Sequence, residues 1–230
     1  MVTKNQHIEL LVKQIESETP NYMSIYFHRP MHFSFEAGDW IDIEFDSRRL
    51  RGGKTYSLSS SPTEGDLKIT FREGISEIKK ALRAVQPNDK LFITQYGNDY
   101  KFQLNKSRAS TLIAGGVGVA PFRSMLKEMY DHDDKNEVSL IYLNQNENFL
   151  FKEELELWSR KLPNLSITYI PTKDLNRKKR DKLILSLIKG PEQNFYISGP
   201  PTMVESNEHL LIDHMDVQVR NIRIDSFGGY

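Results

Sequence analysis

The segment Lys54 to Pro62 reads KTYSLSSSP and sets a cation, an aromatic ring and four serines into nine positions. A core strand would carry more aliphatic side chains. The mixture suits a ligand with a planar face, hydrogen-bonding groups and a negative charge. The plainer alternative is a barrel strand with a surface lysine. A second chemical signal is AGGVGVAP, Ala114 to Pro121, where a strand hands over to a helix. Gly115, Gly116 and Gly118 allow a tight turn and close approach of the backbone to a ligand, and Pro121 suits the first helical turn. Unpaired N–H groups and the partial positive charge of a helix start favour a pyrophosphate there. The spacing is not G-x-G-x-x-G, and a simple strand–helix turn would also use glycine. YISGPP, Tyr196 to Pro201, repeats the design, with Gly199 opening a turn and Pro200 and Pro201 stiffening the next helix. Two glycine-rich strand ends in one parallel sheet outline a crevice suited to a dinucleotide.

Other chemistries lack their residues. Neither G-x-S-x-G nor G-x-x-x-x-G-K-[ST] occurs, and the six histidines show no H-E-x-x-H spacing. His209 and His214 fall on an amphipathic helix and read as surface or packing residues. The chain has no cysteine, which excludes disulfides, thiolate zinc sites and cysteine-bound iron–sulfur clusters within it.

The elements that must position these motifs change character midway. Up to about Asn105, six short runs rich in β-branched and aromatic residues are separated mostly by Gly, Pro, Asn or Asp. They predict a six-stranded antiparallel β-barrel, interrupted by one helix, SEIKKALRAV, with Ile78, Leu82 and Val85 on one face. After NKSRAS, strands and helices alternate, which predicts a Rossmann-like parallel sheet with helices on both faces. The reading is two domains, 1–105 and 106–230. Across the 230 residues, 31 basic and 31 acidic side chains balance, so no global field favours nucleic acid or acidic lipid. The one basic run, Asn176 to Lys182, reads as the polar start of an amphipathic helix. No apolar run approaches the roughly 20 residues that span a bilayer, and MVTKNQHIELLVKQ lacks the apolar region of a signal peptide. A soluble, cytoplasmic protein is expected, with its oligomeric state open.

Taken in order, KTYSLSS, REGIS, AGGVGVAP, YISGPP and the terminal FGGY make nearly the whole chain resemble the ferredoxin–NADP reductase superfamily. The resemblance implies a flavin-binding barrel followed by a nicotinamide-binding α/β domain, with no fused iron–sulfur domain. It implies that Lys54, Thr55, Tyr56, Ser57 and Ser60 lie along the flavin. Tyr56 would stack on the isoalloxazine, and Ser57 would sit beside N5. Lys54 stands where the family has an arginine that meets the flavin phosphate; it keeps the charge but loses the planar fork, and Arg51 is placed to share the work. Gly74, Ile75 and Ser76 match a loop that offers backbone N–H groups to the pyrophosphate, although Ser76 also reads as a plain N-cap. Of the family's Gly-Pro-x-Gly-x-Phe segment, QYGNDYKF keeps Gly97 and the aromatics, which implies barrel closure. Gly115, Gly116, Val117, Gly118 and Pro121, with Gly199 and Pro200, would hold the nicotinamide nucleotide. Ser198 replaces a cysteine that lies near the nicotinamide in many relatives. Phe227 and Tyr230 are candidates for an aromatic over the flavin's other face.

The function implied is transfer of hydride from NADH or NADPH to the flavin, FAD in preference to FMN. Electrons then pass to a separate acceptor: a ferredoxin, a flavodoxin, an oxygenase component or a small oxidant. The catalytic candidates are Ser57, Ser198 and Tyr230, with no metal. Leu143 to Asn148 carry no arginine, and Glu147 would repel a 2′-phosphate, which tilts the donor toward NADH; Arg177 to Arg180 are an alternative source of charge. Gly118→Val is expected to weaken nucleotide binding with little effect on flavin content. A non-catalytic flavin or nucleotide-binding module on the same fold is the rival reading.

Overall fold

A computed structural model describes residues 7–45 and 54–227. Its first sheet has six strands: β1 (Ile8–Thr19), β2 (Tyr22–His28), β3 (Trp40–Phe45), β4 (Lys54–Ser57), β5 (Asp66–Arg72) and β6 (Lys90–Gly97). They run in the order β4-β3-β6-β1-β2-β5 with every neighbouring pair antiparallel. A bridge between Leu58 and Ile69 joins the two ends and closes the barrel. Alternation along the strands fills it: Ile25 and Phe27 from β2, Ile41 and Ile43 from β3, Leu67, Ile69 and Phe71 from β5. The helix α1 (Glu77–Ala84) follows β5 and drops Leu82 into the same core.

The second sheet is parallel throughout: β7 (Ser110–Gly115), β8 (Val138–Asn144), β9 (Leu165–Pro171), β10 (Asn194–Gly199) and β11 (Ile222–Ser226). The order β11-β10-β7-β8-β9 reverses between β7 and β10. That places both glycine-rich strand ends at the switch point, where such sheets leave a crevice. Both central strands are buried along their whole length. Leu112 and Ala114 of β7 pack on one side with α2 (Val119–Asp131) and α3 (Lys152–Lys161). Ile113 packs on the other with α4 (Arg177–Leu187) and α5 (Pro201–Met215).

Helix α3 begins at Lys152, after three apolar residues that stay out of it. Phe149, Leu150 and Phe151 are buried ahead of it, Phe151 at φ +58°, and the Leu150 N–H donates to the Tyr142 hydroxyl at 3.2 Å. Tertiary packing has taken those residues out of the helix.

The outer face of β5 is buried as well, because the α/β half lies against it. Lys68 is 3% exposed, 3.4 Å from a Glu18 carboxylate oxygen and over the rings of Tyr26 and Phe151. Arg123 of α2, also 3% exposed, binds Glu64 of the barrel through both terminal nitrogens at 2.8 and 3.1 Å. It also binds Glu154 of α3 at 2.8 and 2.7 Å and donates to the Ser59 carbonyl at 2.8 Å. A buried guanidinium is tolerable only with such complete pairing.

Candidate active site

A cleft of about 450 Å³ lies between the halves. The barrel contributes Trp40, Lys54, Thr55, Tyr56, Ser57, Thr70, Phe71, Arg72, Lys79 and Asp99; the α/β half contributes Val117, Ala120, Asp225, Ser226 and Phe227. A second cleft, about 390 Å³, opens over the carboxyl ends of the parallel strands. Its walls include Gly115, Gly116, Val117, Leu143 to Asn146, Asn148, Thr172, Arg180, Pro200 and Met203. Arg72 and Val117 belong to both clefts, so the two meet at that point.

The residues at the meeting of the halves form one hydrogen-bonded unit. Ser57 Oγ donates to Asp225 Oδ2 at 2.8 Å, across 168 residues of chain. Ser198 Oγ donates to the same oxygen at 3.5 Å. Burial pushes the pKa of Asp225 up to about 6; the two hydroxyls pull it back, and the charge of Asp99 adds to the rise. Asp225 has no place in the motifs read from sequence. Its signal is positional: an acid at the carboxyl end of a parallel strand, where ligands of such sheets bind.

Cations gather three residues away along β4, about 10 Å in extended chain. Lys79 lines the cleft beside Lys54 and Arg72. Burial first, and then the charges of Lys54 and Arg72, push its pKa down, so the three groups share one neighbourhood. Lysine at position 54 is thus backed by two further cations that the local motif did not reveal.

The other candidates separate. Ser60 is buried, accepts from the Lys68 N–H at 2.9 Å and does not line the cleft; its carbonyl accepts from Ser124 Oγ at 2.6 Å. Ser76 caps α1, accepting from the Lys79 N–H at 3.4 Å; Ile75 is 90% exposed, and neither it nor Gly74 lines the cleft. Gly116 has φ +54°, a conformation that suits glycine. Gly118 instead packs on the end of β10: a Cβ there would overlap the Ser198 carbonyl and lie 2.8 Å from the Gly199 Cα. Its glycine is required by the join between turn and strand, so the effect expected of Gly118→Val shifts from ligand affinity to folding. Pro121 is buried in the first turn of α2. Gly199 (φ +154°) backs onto Gly115, and its carbonyl accepts from the Phe227 N–H at 3.1 Å, which brings Phe227 to the first cleft. Arg51 and Tyr230 lie outside the described residues.

The first cleft has the chemistry a flavin needs. Its walls include two buried polar atoms without a hydrogen-bond partner, the Tyr56 hydroxyl and Trp40 Nε1. Buried polar atoms of this kind call for a partner. The ring of Tyr56, the cation cluster and the Ser57–Asp225 pair supply a flat face, an anion site and a polar edge. Among the described residues no His, Asp and Glu cluster could hold a metal. No helix there is long and apolar enough to cross a membrane.

A closed antiparallel barrel and a parallel sheet whose switch point opens on a cleft together define a two-part architecture, with residues of both parts at the junction. Residues 112–209 match the family model of the oxidoreductase NAD-binding domain. The flavohemoprotein of Bacillus cereus is 24% identical over 216 residues, 85% of this chain and 54% of that protein. NADH-cytochrome b5 reductase 1 of Kluyveromyces lactis is 34% identical over 123 residues, 49% of this chain and 43% of its own. A ferredoxin NADP+ reductase from Neisseria gonorrhoeae, solved with bound FAD and NADP, has the same fold: TM-score 0.80 at 19% identity, over 97% of this chain and 99% of that one. The chain spans about half the length of the curated relatives it matches. Residues 112–209 thus match an oxidoreductase NAD-binding domain, and the whole chain shares the fold of the ferredoxin–NADP reductases.

Proposed function

We propose that this chain is an NAD(P)H-dependent flavoprotein reductase that holds FAD in the first cleft and the nicotinamide nucleotide in the second. The observation that carries the reading is the meeting of Ser57 from the barrel with Asp225 and Ser198 from the parallel sheet, with Ser57 and Asp225 on the wall of the first cleft, which shares Arg72 and Val117 with the second. A bound flavin supplies a ring that accepts hydride at N5 from reduced nicotinamide and passes electrons on singly or in pairs. The protein supplies position and proton handling. Tyr56 offers its ring to the flat face and its unpartnered hydroxyl to the side chain of the cofactor. Lys54, Arg72 and Lys79 offer charge to its phosphates. Ser57 donates its proton to Asp225, so the free side of Ser57 Oγ accepts from an N–H in the cleft. Ser57 Oγ would take the proton released when electrons leave a reduced flavin, and would pass its own to Asp225 Oδ2. A carboxylate with a pKa of about 6 is ionised at neutral pH and still basic enough to take it. The gain from the site is mainly the alignment of two rings.

The pyrophosphate of the nucleotide would rest at the Gly116 turn and the start of α2. Arg180 lines the second cleft and no carboxylate does, Glu147 included, which supports acceptance of a 2′-phosphate and weighs against the exclusion expected from Glu147. The acceptor is a separate ferredoxin, flavodoxin, oxygenase component or small oxidant. The test is an absorption spectrum of the purified protein, repeated without oxygen after NADH and then NADPH. Bleaching of a yellow protein by either supports the reading. A flavin that stays oxidised with both makes the chain a binding module, and a colourless protein that takes up no flavin removes the reading.

A further inference from the structure

The barrel forms part of the second cleft. Pro20 and Asn21, in the turn between β1 and β2, and Tyr22 at the start of β2 stand on its wall. The Tyr22 ring packs against the apolar core of the α/β half. Its hydroxyl oxygen lies 3.2 Å from the point that a side chain on Gly116 would occupy. Gly116 therefore has two reasons to be glycine: its positive φ, and the hydroxyl that stands over the turn. That hydroxyl makes no hydrogen bond to any described residue. Packing explains the ring of Tyr22 and leaves its oxygen unexplained, because phenylalanine would fill the same space. Arg72, which lines both clefts, is close enough to act on its titration.

We propose that Tyr22 is a dinucleotide-binding residue, its O–H donating to a pyrophosphate oxygen of the nucleotide held at the Gly116 turn. This rests on the reading of the second cleft as the NAD(P)H site. The pyrophosphate would then be gripped from two sides, by the start of α2 and by a side chain of the barrel. A hydroxyl at neutral pH is a donor here, since burial raises the pKa of Tyr22 above the ordinary tyrosine value.

Tyr22→Phe removes the oxygen and keeps the ring. The flavin-loaded wild type and variant are titrated by calorimetry with NAD+, NADP+, ADP-ribose and adenosine. Loss of a hydrogen bond to a charged group predicts about tenfold weaker binding of ADP-ribose and of whichever dinucleotide binds. Adenosine affinity, flavin content and melting temperature should stay as in the wild type. Unchanged affinity for ADP-ribose in a wild type that binds it would overturn the assignment alone. Equal losses for adenosine and ADP-ribose would also overturn it, tracing the effect to the shape of the cleft. A wild type that retains flavin and binds no dinucleotide would overturn the nucleotide reading and this inference together.

Discussion

Asp225→Asn should separate stability from catalysis. The carboxylate is held at a pKa of about 6 against an ordinary value of 3.8. Folding therefore raises its affinity for a proton. The folded protein keeps that proton where the unfolded chain has lost it, so stability falls as pH rises from about 4 to 6 and stays reduced above that range. A proton held that much more tightly in the folded state amounts to about 1.5 kcal/mol at pH 5 and about 3 kcal/mol at pH 8. Asparagine has nearly the same shape and no charge. The advantage of the variant over wild type should thus grow by about 1.5 kcal/mol between pH 5 and pH 8. At roughly 2–4 °C per kcal/mol for a chain of this size, that is about 3–6 °C in Tm. The assay is thermal unfolding of both proteins, stripped of flavin, at the two pH values. At the same time, reoxidation of the reloaded and reduced flavin should slow by about a hundredfold or more, as for loss of a positioned base. A variant less stable than wild type at pH 8, or an advantage that does not change with pH, would refute the view that an ionised Asp225 is held there at a cost.

Ser57→Ala should leave flavin bound and slow reoxidation of the reduced flavin about a hundredfold; an unchanged stopped-flow rate would remove Ser57 from the reaction. Gly118→Val should fail as a folding variant, costing roughly 3 kcal/mol or more because the new side chain meets the backbone of Ser198 and Gly199. Soluble, flavin-loaded protein with only nucleotide affinity reduced would contradict that. Arg123→Met should destabilise by about 3 kcal/mol in denaturant unfolding, and a cycle with Glu64→Gln should show coupling above about 1 kcal/mol. Additive effects would mean that the pair contributes nothing as a pair. Arg180→Gln should lower the NADPH-to-NADH ratio of kcat/KM about tenfold; an unaltered ratio would place the 2′-position elsewhere.

Much of this was legible in the chain because local patterns carried it. The apolar run of Thr111 to Ala114 and its counterpart Phe195 to Ile197 announce buried parallel strands, and the glycines after them mark the switch point. Asp225, Lys79 and Tyr22 were not legible as residues of the cleft walls, since each depends on a partner brought from a distant part of the chain. Asp225 looks like any polar residue near a strand end until Ser57 arrives beside it. Arg123 sits in a helix where an arginine ordinarily faces water; the barrel on one side and Phe151, Glu154 and Trp158 on the other turn it into a buried group. Gly118 illustrates the reverse case. The motif drew attention to it, but a motif does not distinguish a glycine that makes room for a ligand from one that makes room for a neighbouring strand.

The Arg123 cluster limits how this chain can be recombined with its relatives. Barrel and α/β half look like exchangeable cassettes, yet Glu64 on one and Arg123 and Glu154 on the other are parts of one assembly. A chimera that imports a foreign barrel without a carboxylate at the position of Glu64 would leave a guanidinium half-satisfied inside the seam. Such a graft should be carried out with that acid transplanted too, and a successful hybrid should need changes at both sides of the seam before any change at the cofactor.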